Sequence, residues 1–543
     1  MKPGTAGLVA ALAACVALEG CSRGDTNVRA GDRSQVLHRG IGPDLTDLDP
    51  HLWTQSSDYT VLSSLLEGLL AEDPADLHPV PGVAERWDVS PDGLAYTFHL
   101  RGDARWSNGD PVTSQDFLAS WRRILTPELA ATNASQLFLI RGAEAFNRGA
   151  CDFSRVGLLA PDPRTLSVNL EHPAPWFTSV LGSPSWMPVH IPTVARHGPV
   201  YRRGNPWAAP GTWVGNGPFD LKSWRRGQEI VVARSPTYWD SARVRLREIH
   251  FHVFDSIDAE ERAFRSGQLH VTETIPPDRI DAYRRDAPGL LRIDPLLGTY
   301  FLRINVRRRG LDDARVRRAL ALAVDRTAIV EKVLRGGQTP AYSFTPPALA
   351  GFAPDPAARG GPDAARRLLA ESGHPRGEGL AVFDLLYNNS ETHRVIAEAL
   401  QEMWRRELGV RVNLVNEELK STEEARRAGA FDLLRSSWIA DYEDPSAFLD
   451  IWRADSGNNF TGWSNAGYDA LLYDAARTPD AAARGALYAR AERILMEEAP
   501  IIPLYHYTHV FLIQPSVRGW NPTWLDHHPY KDVWLGERPG APR

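Results

Sequence analysis

Apolar and polar positions alternate over short segments in the first half of the chain. Residues 86–89 and 96–100 alternate on either side of a Ser-Pro-Asp-Gly turn at 90–93, which predicts a β-hairpin with one apolar face. Segments 158–171 and 217–234 alternate in the same way, and the sequence TSQD at 113–116 is typical of a helix start. The first half is therefore predicted to be mixed α+β.

The second half combines strand and helix periodicity in a regular order. Residues 380–388 and 410–415 have strand patterns and flank a helical segment, 391–408, whose apolar residues share one side: Val395, Ile396, Ala399, Leu400, Met403 and Trp404. A short helix at 422–428 and a strand at 431–439 repeat the unit. Strand, helix and strand at this spacing predict right-handed crossovers and hence a parallel sheet.

The N-terminus has the pattern of an export signal. Lys2 precedes a mostly apolar run at 6–18, which is too short to span a bilayer in the mature protein. Cys21 after a small residue resembles the lipoprotein cleavage box, although Glu19 departs from it; the alternative is an ordinary secretory signal with an unrelated cysteine. We expect residues 1–20 to be removed, Cys21 to be acylated, and residues 21–37 to form a flexible tether.

Length, charge and cysteine content narrow the class of protein. The chain of 543 residues exceeds a single core, so two or three domains are expected. Its net charge of −6 gives no basic face for nucleic acid. Besides Cys21 and the signal's Cys15, only Cys151 remains, which excludes an internal disulfide or a cysteine metal cluster in the mature chain.

Catalytic and metal-binding patterns are weak. The sequence contains no HExxH and no GxSxG motif, and a hydrolase using Asp441 with Glu443 or Asp444 would need a carboxylate separation that the sequence does not fix. His506 and His509 fall on opposite faces of a predicted strand, and the pair at 527–528 is expected to be exposed. We therefore predict no enzyme activity, no cofactor and no metal site.

Three polar residues fall where ligands bind in parallel sheets, near the carboxyl ends of strands. His393 lies in the first turn of the helix after strand 380–388, Asp441 lies just after strand 431–439, and Arg435 lies inside that strand. A mid-strand arginine needs a carboxylate partner. Two interpretations are open. In one, nearby acids pair with Arg435, and the three residues are structural. In the other, an extended ligand with opposite charges at its two ends lies along the strand.

Ordered sequence blocks along the mature chain carry a clear family resemblance. The blocks are LDPH 48–51, EGL 67–69, PGVAE 81–85, YTFHLR 96–101, WSNG 106–109, DF 116–117, NGPF 216–219, RSPTYW 234–239, VRRAL 316–320, TPP 345–347 and ADYEDP 440–445. The chain resembles the oligopeptide-binding proteins of bacterial ATP-driven importers, a class that includes dipeptide, murein-peptide and nickel binders.

The resemblance implies an α/β fold with two lobes, of the type II periplasmic-binding-protein kind, with an extra α+β subdomain. Two strands, near 299–305 and 503–511, would join the lobes as a hinge. The implied segments are 38–70, 185–298 and 506–543 for lobe I, 71–184 for its subdomain, and 299–505 for lobe II.

The resemblance also implies roles for individual residues. Asp441 would bind the peptide's α-ammonium, and Arg435 and His393 its α-carboxylate. The strand would supply main-chain groups and pocket walls through Ser437, Trp438, Ile439 and Tyr442. The best-studied members carry a disulfide at the positions matching Gly298 and Ile439, which lack cysteine here, so peptide length and side-chain preference stay open.

The implied biology is extracytoplasmic. A monomer held to a membrane by its N-terminal lipid, in the periplasm, would pass short peptides to the permease subunits of an importer. Other solutes on the same scaffold, such as a murein peptide, a dipeptide, a nickel complex or an oligosaccharide, remain alternatives, as does a secreted hydrolase.

Overall fold

A computed structural model describes residues 25–347, 349, 352–353 and 360–537. The predicted signal peptide and Cys21 lie outside the described residues. Within those residues, no helix is both long enough and apolar enough to cross a membrane.

The described residues form strands and helices in alternation along the chain. The strands are β1 (Val36–Gly40), β2 (Leu70–Glu72), β3 (Pro79–Pro81), β4 (Ala84–Val89), β5 (Ala95–Leu100), β6 (Leu158–Asp162), β7 (Thr165–Asn169), β8 (Phe219–Arg225), β9 (Glu229–Arg234), β10 (Glu248–His252), β11 (Leu291–Ile304), β12 (Thr339–Pro340), β13 (Phe383–Asn388), β14 (Val412–Glu417), β15 (Leu433–Ile439), β16 (Ile501–Leu512), β17 (Val517–Arg518) and β18 (Trp534–Leu535). The helices are α1 (Asn27–Ser34), α2 (Ser56–Leu65), α3 (Ser114–Leu125), α4 (Ala143–Asn147), α5 (Phe177–Val180), α6 (Ile191–His197), α7 (Ile257–Arg265), α8 (Ile280–Asp286), α9 (Ala314–Leu322), α10 (Arg326–Ala328), α11 (Gly361–Glu371), α12 (Glu391–Leu408), α13 (Leu419–Ala428), α14 (Ser446–Leu449), α15 (Ala466–Ala476) and α16 (Ala481–Glu498).

Two four-stranded sheets organise the first half of the chain. One has the order β1-β10-β9-β8, in which β1 runs parallel to β10 and the other pairs are antiparallel. The other has the order β4-β5-β7-β6 and is antiparallel throughout. It contains the predicted hairpin, whose turn holds Gly93 at a φ of 68°, a conformation that glycine adopts without steric cost.

The two sheets share one hydrophobic core. Buried side chains from β1, the hairpin, α3 and the C-terminal segment form a single contiguous cluster, in which Phe98 and Trp121 are fully buried. The segment predicted as a subdomain, 71–184, therefore has its own sheet but packs continuously against the rest of the first half.

The second half is built on a six-stranded sheet of order β12-β16-β11-β15-β13-β14. β13 runs parallel to both β14 and β15, which confirms the predicted parallel crossovers. Helix α12 begins as expected, because the Ser390 side chain accepts a hydrogen bond from the His393 amide, and it buries Leu400 and Trp404 on one face.

Two long antiparallel strands connect the cores of the two halves. β11 and β16 pair from Leu291 opposite Leu512 to Arg303 opposite Ile501, with register shifts on the way. Leu302 packs in a cluster with β13 and α12, whereas Phe511 belongs to the cluster of the first half.

The region predicted as a flexible tether is structured over much of its length, so this prediction was wrong after residue 26. Thr26 caps α1, Val28 is almost fully buried, and the Val28 amide donates a hydrogen bond of 3.0 Å to the carbonyl of Gly267. The high polarity of this segment concealed the role of Val28, an apolar residue that anchors it.

Candidate functional site

Among the described residues, most of β15 has no strand on one side. Along its other edge β15 pairs with β11 over its whole length, and the register sets Ile439 opposite Gly298 and Leu433 opposite Ile304. On the side of β13, pairing stops at Leu434. Residues 435–439 therefore present an unpaired strand edge within the sheet.

The main-chain groups along this edge can be assigned from one hydrogen bond. The Ala440 amide donates to the carbonyl of Leu297, just before the stretch of β11 that pairs with β15. In an antiparallel pair, every second residue directs both its N–H and its C=O group toward the partner strand, and the residues between direct theirs away from it. Arg435, Ser437 and Ile439 consequently direct their main-chain groups away from β11, toward the unpaired side.

Asp441 lies just beyond this edge and borders a cavity of about 400 Å³. Its carboxylate is open to water in the cavity, yet the surrounding protein displaces much of its hydration and raises its pKa to about 6, while the nearby His527 acts in the opposite direction. Across the described part of the chain, no side chain forms an ion pair or hydrogen bond with Asp441.

The opposite wall of the cavity comes from the first half of the chain. It includes Trp53, Tyr59, Asn133 and the C-terminal His527, which stacks on Tyr59 with 3.9 Å between ring centroids. A second cavity of about 160 Å³ also borders Asp441 and extends toward Trp176 and Tyr442. The carboxylate thus lies between the two halves, at the junction of two cavities.

Arg435 lies at the other end of the unpaired edge, without a carboxylate partner among the described residues. Its guanidinium lies over the ring of Tyr300, 4.7 Å from the centroid, and donates hydrogen bonds of 3.4 Å to Asn388 and to the hydroxyl of Tyr507. Its Nε is buried and unpartnered. Burial acts to lower the pKa of Arg435, but the facing tyrosine oxygens raise it above its ordinary value. The expectation of a carboxylate partner was therefore wrong for the protein alone.

His393 lies beside Arg435 at the start of α12. Its Nδ1 is 3.3 Å from the hydroxyl of Tyr300, so Tyr300 contacts both residues that were predicted to bind the peptide's α-carboxylate. Burial, and then the charge of Arg435, lowers the pKa of His393 to about 4. The imidazole is neutral at pH 7, so it can donate one hydrogen bond to an anion but contributes no charge.

The other strand residues divide between solvent and protein. Ser437 and Ile439 are exposed on the unpaired side. Trp438 is half-buried and its indole N–H donates a hydrogen bond of 2.6 Å to the Ala447 carbonyl. Tyr442 is also half-buried, and its ring lies parallel to that of Trp176 with centroids 6.2 Å apart. Trp438 is therefore tied to the core of the second half, whereas Tyr442 borders the smaller cavity.

The structure brings Arg435 and His393 together and sets Asp441 at the far end of the same edge. The nearby acids offered as structural partners do not pair with Arg435: Asp444 instead lies 3.7 Å from Arg484. The side chains that hold Arg435 were not predicted from the sequence: Tyr300, Asn388 and Tyr507. They come from three other strands, and no spacing pattern in the sequence connects them.

Comparison with known proteins identifies the family. Residues 78–460 match the model for the middle region of bacterial extracellular solute-binding proteins, family 5. The chain belongs to this family. Family 5 proteins are binding proteins rather than enzymes, and they act outside the cytoplasm.

Relatives match this family 5 chain over nearly its whole length. The periplasmic oligopeptide-binding protein OppA of Escherichia coli is 36% identical, with 90% of each chain covered. The structure of the E. coli murein tripeptide-binding protein MppA is 34% identical, with a TM-score of 0.80 over 93% of this chain and 99% of that one. The structure of Haemophilus influenzae OppA in complex with the peptide RPPGFSPFR is 30% identical, with a TM-score of 0.78 over 93% and 99%. The mixed α/β fold predicted from the sequence is that of these proteins.

Proposed function

We propose that the protein captures short peptides in extended form between its two halves and delivers them to an ATP-driven importer. The observation that carries this proposal is the unpaired edge of β15, which has Asp441 at one end and Arg435 at the other. Among the described residues, neither of these two side chains has an ion-pair partner. A free peptide has the matching set of groups: an ammonium, a run of main-chain donors and acceptors, and a carboxylate. Similarity to oligopeptide-binding relatives supports the same substrate class.

The peptide adds a strand to β15. Its main chain pairs with Ser437 and Ile439, its ammonium binds Asp441, and its carboxylate binds Arg435, assisted by His393. This places the peptide antiparallel to β15. Arg435 and Asp441 are six residues apart, which is roughly 20 Å along an extended chain. Because both side chains reach toward the ligand, the distance between its two charged ends is shorter than this. Peptides of about three to five residues fit that span.

Side-chain identity matters little in this arrangement. The main chain and the two termini are common to all short peptides, while the cavities of about 400 and 160 Å³ leave room for side chains and bridging water. Trp438 and Tyr442 flank this space. The protein is thereby suited to a broad range of peptide sequences.

Capture proceeds by closure of two lobes about the long strands β11 and β16. These strands act as the hinge, because each runs from the hydrophobic core of the first half to that of the second half. Peptide between Asp441 on one side and the wall around Trp53 and Tyr59 on the other stabilises the closed state. The closed monomer docks on permease subunits in the inner membrane, and the acylated Cys21 keeps it at a membrane surface in the periplasm.

Calorimetric titration tests the proposal directly. The full-length protein, stripped of co-purified ligand, is titrated with tri-alanine and with N-acetyl-tri-alanine. We expect tri-alanine to bind and acetylation to abolish binding, because the acetyl group removes the ammonium that Asp441 requires. If neither tri-alanine nor tetra-alanine binds, the proposal is overturned. Small-angle scattering checks closure separately: saturating peptide should reduce the radius of gyration.

A further inference from the structure

Three histidines meet on the sheet of the first half, away from the peptide cavities. His38 lies on β1, and His250 and His252 lie on the neighbouring β10. The parallel register pairs His38 with His250, and the i, i+2 spacing on β10 puts His250 and His252 on one face of the strand. None of the three borders the cavities next to Asp441.

The imidazoles are close enough to share one ion. One ring nitrogen from each of His38, His250 and His252 lies within 4.8 Å of the others. His38 Nδ1 and His252 Nε2 are 3.0 Å apart. Zinc–nitrogen bonds of about 2.0–2.1 Å in a tetrahedron separate ligand nitrogens by roughly 3.3 Å, so small side-chain rotations suffice to reach that geometry.

Acidic residues surround the imidazoles as outer ligands do in metal sites. Glu229 Oε2 lies 3.5 Å from His250 Nδ1 and 3.8 Å from His252 Nδ1. Glu248 Oε2 lies 3.2 Å from His250 Nε2. A small rotation of either side chain brings the Nδ1–H of His252 within hydrogen-bond distance of Glu229, which would then fix the tautomer whose Nε2 lone pair faces His38. Glu229 also pairs with Arg225, which holds it in place.

We propose that His38, His250 and His252 form a binding site for a zinc-class divalent cation, with Glu229 as the carboxylate that orients His252. Three imidazoles and one open position are a common ligand set for Zn²⁺. The bound cation links the N-terminal strand β1 to β10. Since β1 lies at the edge of its sheet, the site fastens the start of the folded chain.

A fourth histidine next to the cluster, His270, has a different role. His270 stacks on His38 with 5.8 Å between centroids, but its Nδ1 accepts a hydrogen bond from the His38 amide and its Nε2 lies 3.3 Å from Asp32. His270 supports His38 from behind, and it does not belong to the group of three histidines whose ring nitrogens lie within 4.8 Å of one another.

Zinc titration of the full-length, untagged protein tests the site. After treatment with a chelator, the protein is titrated with Zn²⁺ against a chromophoric indicator, and its thermal unfolding is recorded with and without Zn²⁺. We expect one zinc ion per chain and a higher unfolding temperature when zinc is bound. Losing an outer partner of a metal ligand typically lowers affinity by about 10–100-fold. Glu229→Gln should fall in that range, and His252→Gln should weaken binding by roughly 100-fold or more.

A matched histidine variant makes the test specific. His78 lies with Asp73 and Asp76 in an exposed group that also contains potential ligands. His78→Gln should leave zinc binding unchanged. Zinc affinity that survives both His250→Gln and His252→Gln, or that disappears in His78→Gln, overturns the proposal. His250 and His252 are partly exposed, so replacing them should not prevent folding. The variants are folded if, without zinc, they unfold at the same temperature as the parent protein.

Discussion

Asp441 and Arg435 lie at the two ends of the unpaired edge of β15, and neither has an oppositely charged partner among the described residues. Charges in partly desolvated positions are costly when they are unpaired. A zwitterionic peptide satisfies both at once.

The first prediction concerns the ammonium site. Asp441→Asn removes the charge and keeps the shape, so affinity for tri-alanine should fall by about 3–5 kcal/mol, or two to three and a half orders of magnitude. N-acetyl-tri-alanine should bind measurably to neither protein. Calorimetry with both ligands measures the two values, and a loss below tenfold for tri-alanine would contradict the assigned role.

Two controls accompany this variant. Asp455→Asn removes an equal charge at an exposed position that borders neither cavity, and it should bind tri-alanine as the parent does. The pKa of Asp441 is raised in the folded protein, so the ionised form disfavours folding above about pH 6. Asp441→Asn should therefore be at least as stable as the parent at pH 8, which separates lost binding from lost folding.

The second prediction concerns pH. With a pKa of about 6, free Asp441 becomes protonated as the pH falls from 7 to 5 and then no longer attracts an ammonium. Affinity for tri-alanine should be nearly constant near pH 7. Below pH 6 it should decrease, with a slope that approaches a tenfold loss for each pH unit. In Asp441→Asn the affinity should be nearly flat over this range. A similar acid loss in both proteins would assign the effect to another group, such as Glu443, whose pKa is raised to about 7 by burial.

The third prediction concerns the carboxylate end. Arg435→Gln should weaken binding by an amount that depends on peptide length, because only some lengths bring the carboxylate to the guanidinium while others use His393 or water. Titrations with tri-, tetra- and penta-alanine compare this variant with His393→Ala. The two variants should affect different lengths most. An equal loss at every length would mean that Arg435 is structural, acting through Tyr300 and Tyr507.

The fourth prediction concerns stability of the first half. Asp49 and Arg123 form a buried bidentate pair, with distances of 2.6 and 2.9 Å, that joins the segment before α2 to α3. Burial acts to raise the pKa of Asp49, but Arg123 outweighs it and holds that pKa below its ordinary value. Arg123→Met leaves a buried carboxylate unpaired and should destabilise the protein by about 3–5 kcal/mol.

Thermal unfolding compares this variant with a surface pair. Glu144 and Arg148 form an exposed i, i+4 pair on and just after α4, where such pairs contribute about 0–1 kcal/mol. Glu144→Gln should shift the unfolding temperature little and Arg123→Met substantially. Equal shifts would show that the buried pair does not hold the two segments together.

Local patterns in the sequence were sufficient for the individual elements. The turn at Gly93, the helix start at Thr113 and the periodicity of 391–408 depend on residues a few positions apart, and the structure has each of them where it was predicted. Alternation and crossover length likewise gave the parallel arrangement of β13, β14 and β15. The candidate residues at the ends of these strands followed from that arrangement and from the family resemblance.

Tertiary structure alone decided how these elements meet. The unpaired edge of β15 exists because pairing with β13 stops at Leu434, and the ring under Arg435 belongs to Tyr300 on another strand. The His38–His252 contact joins residues 214 positions apart. Backbone geometry ties local structure to the nearby sequence, whereas register and side-chain contacts between distant segments depend on how the whole core packs. The sequence by itself therefore determined which elements form and which charges lie at their ends, and packing determined which of those charges remain unpaired.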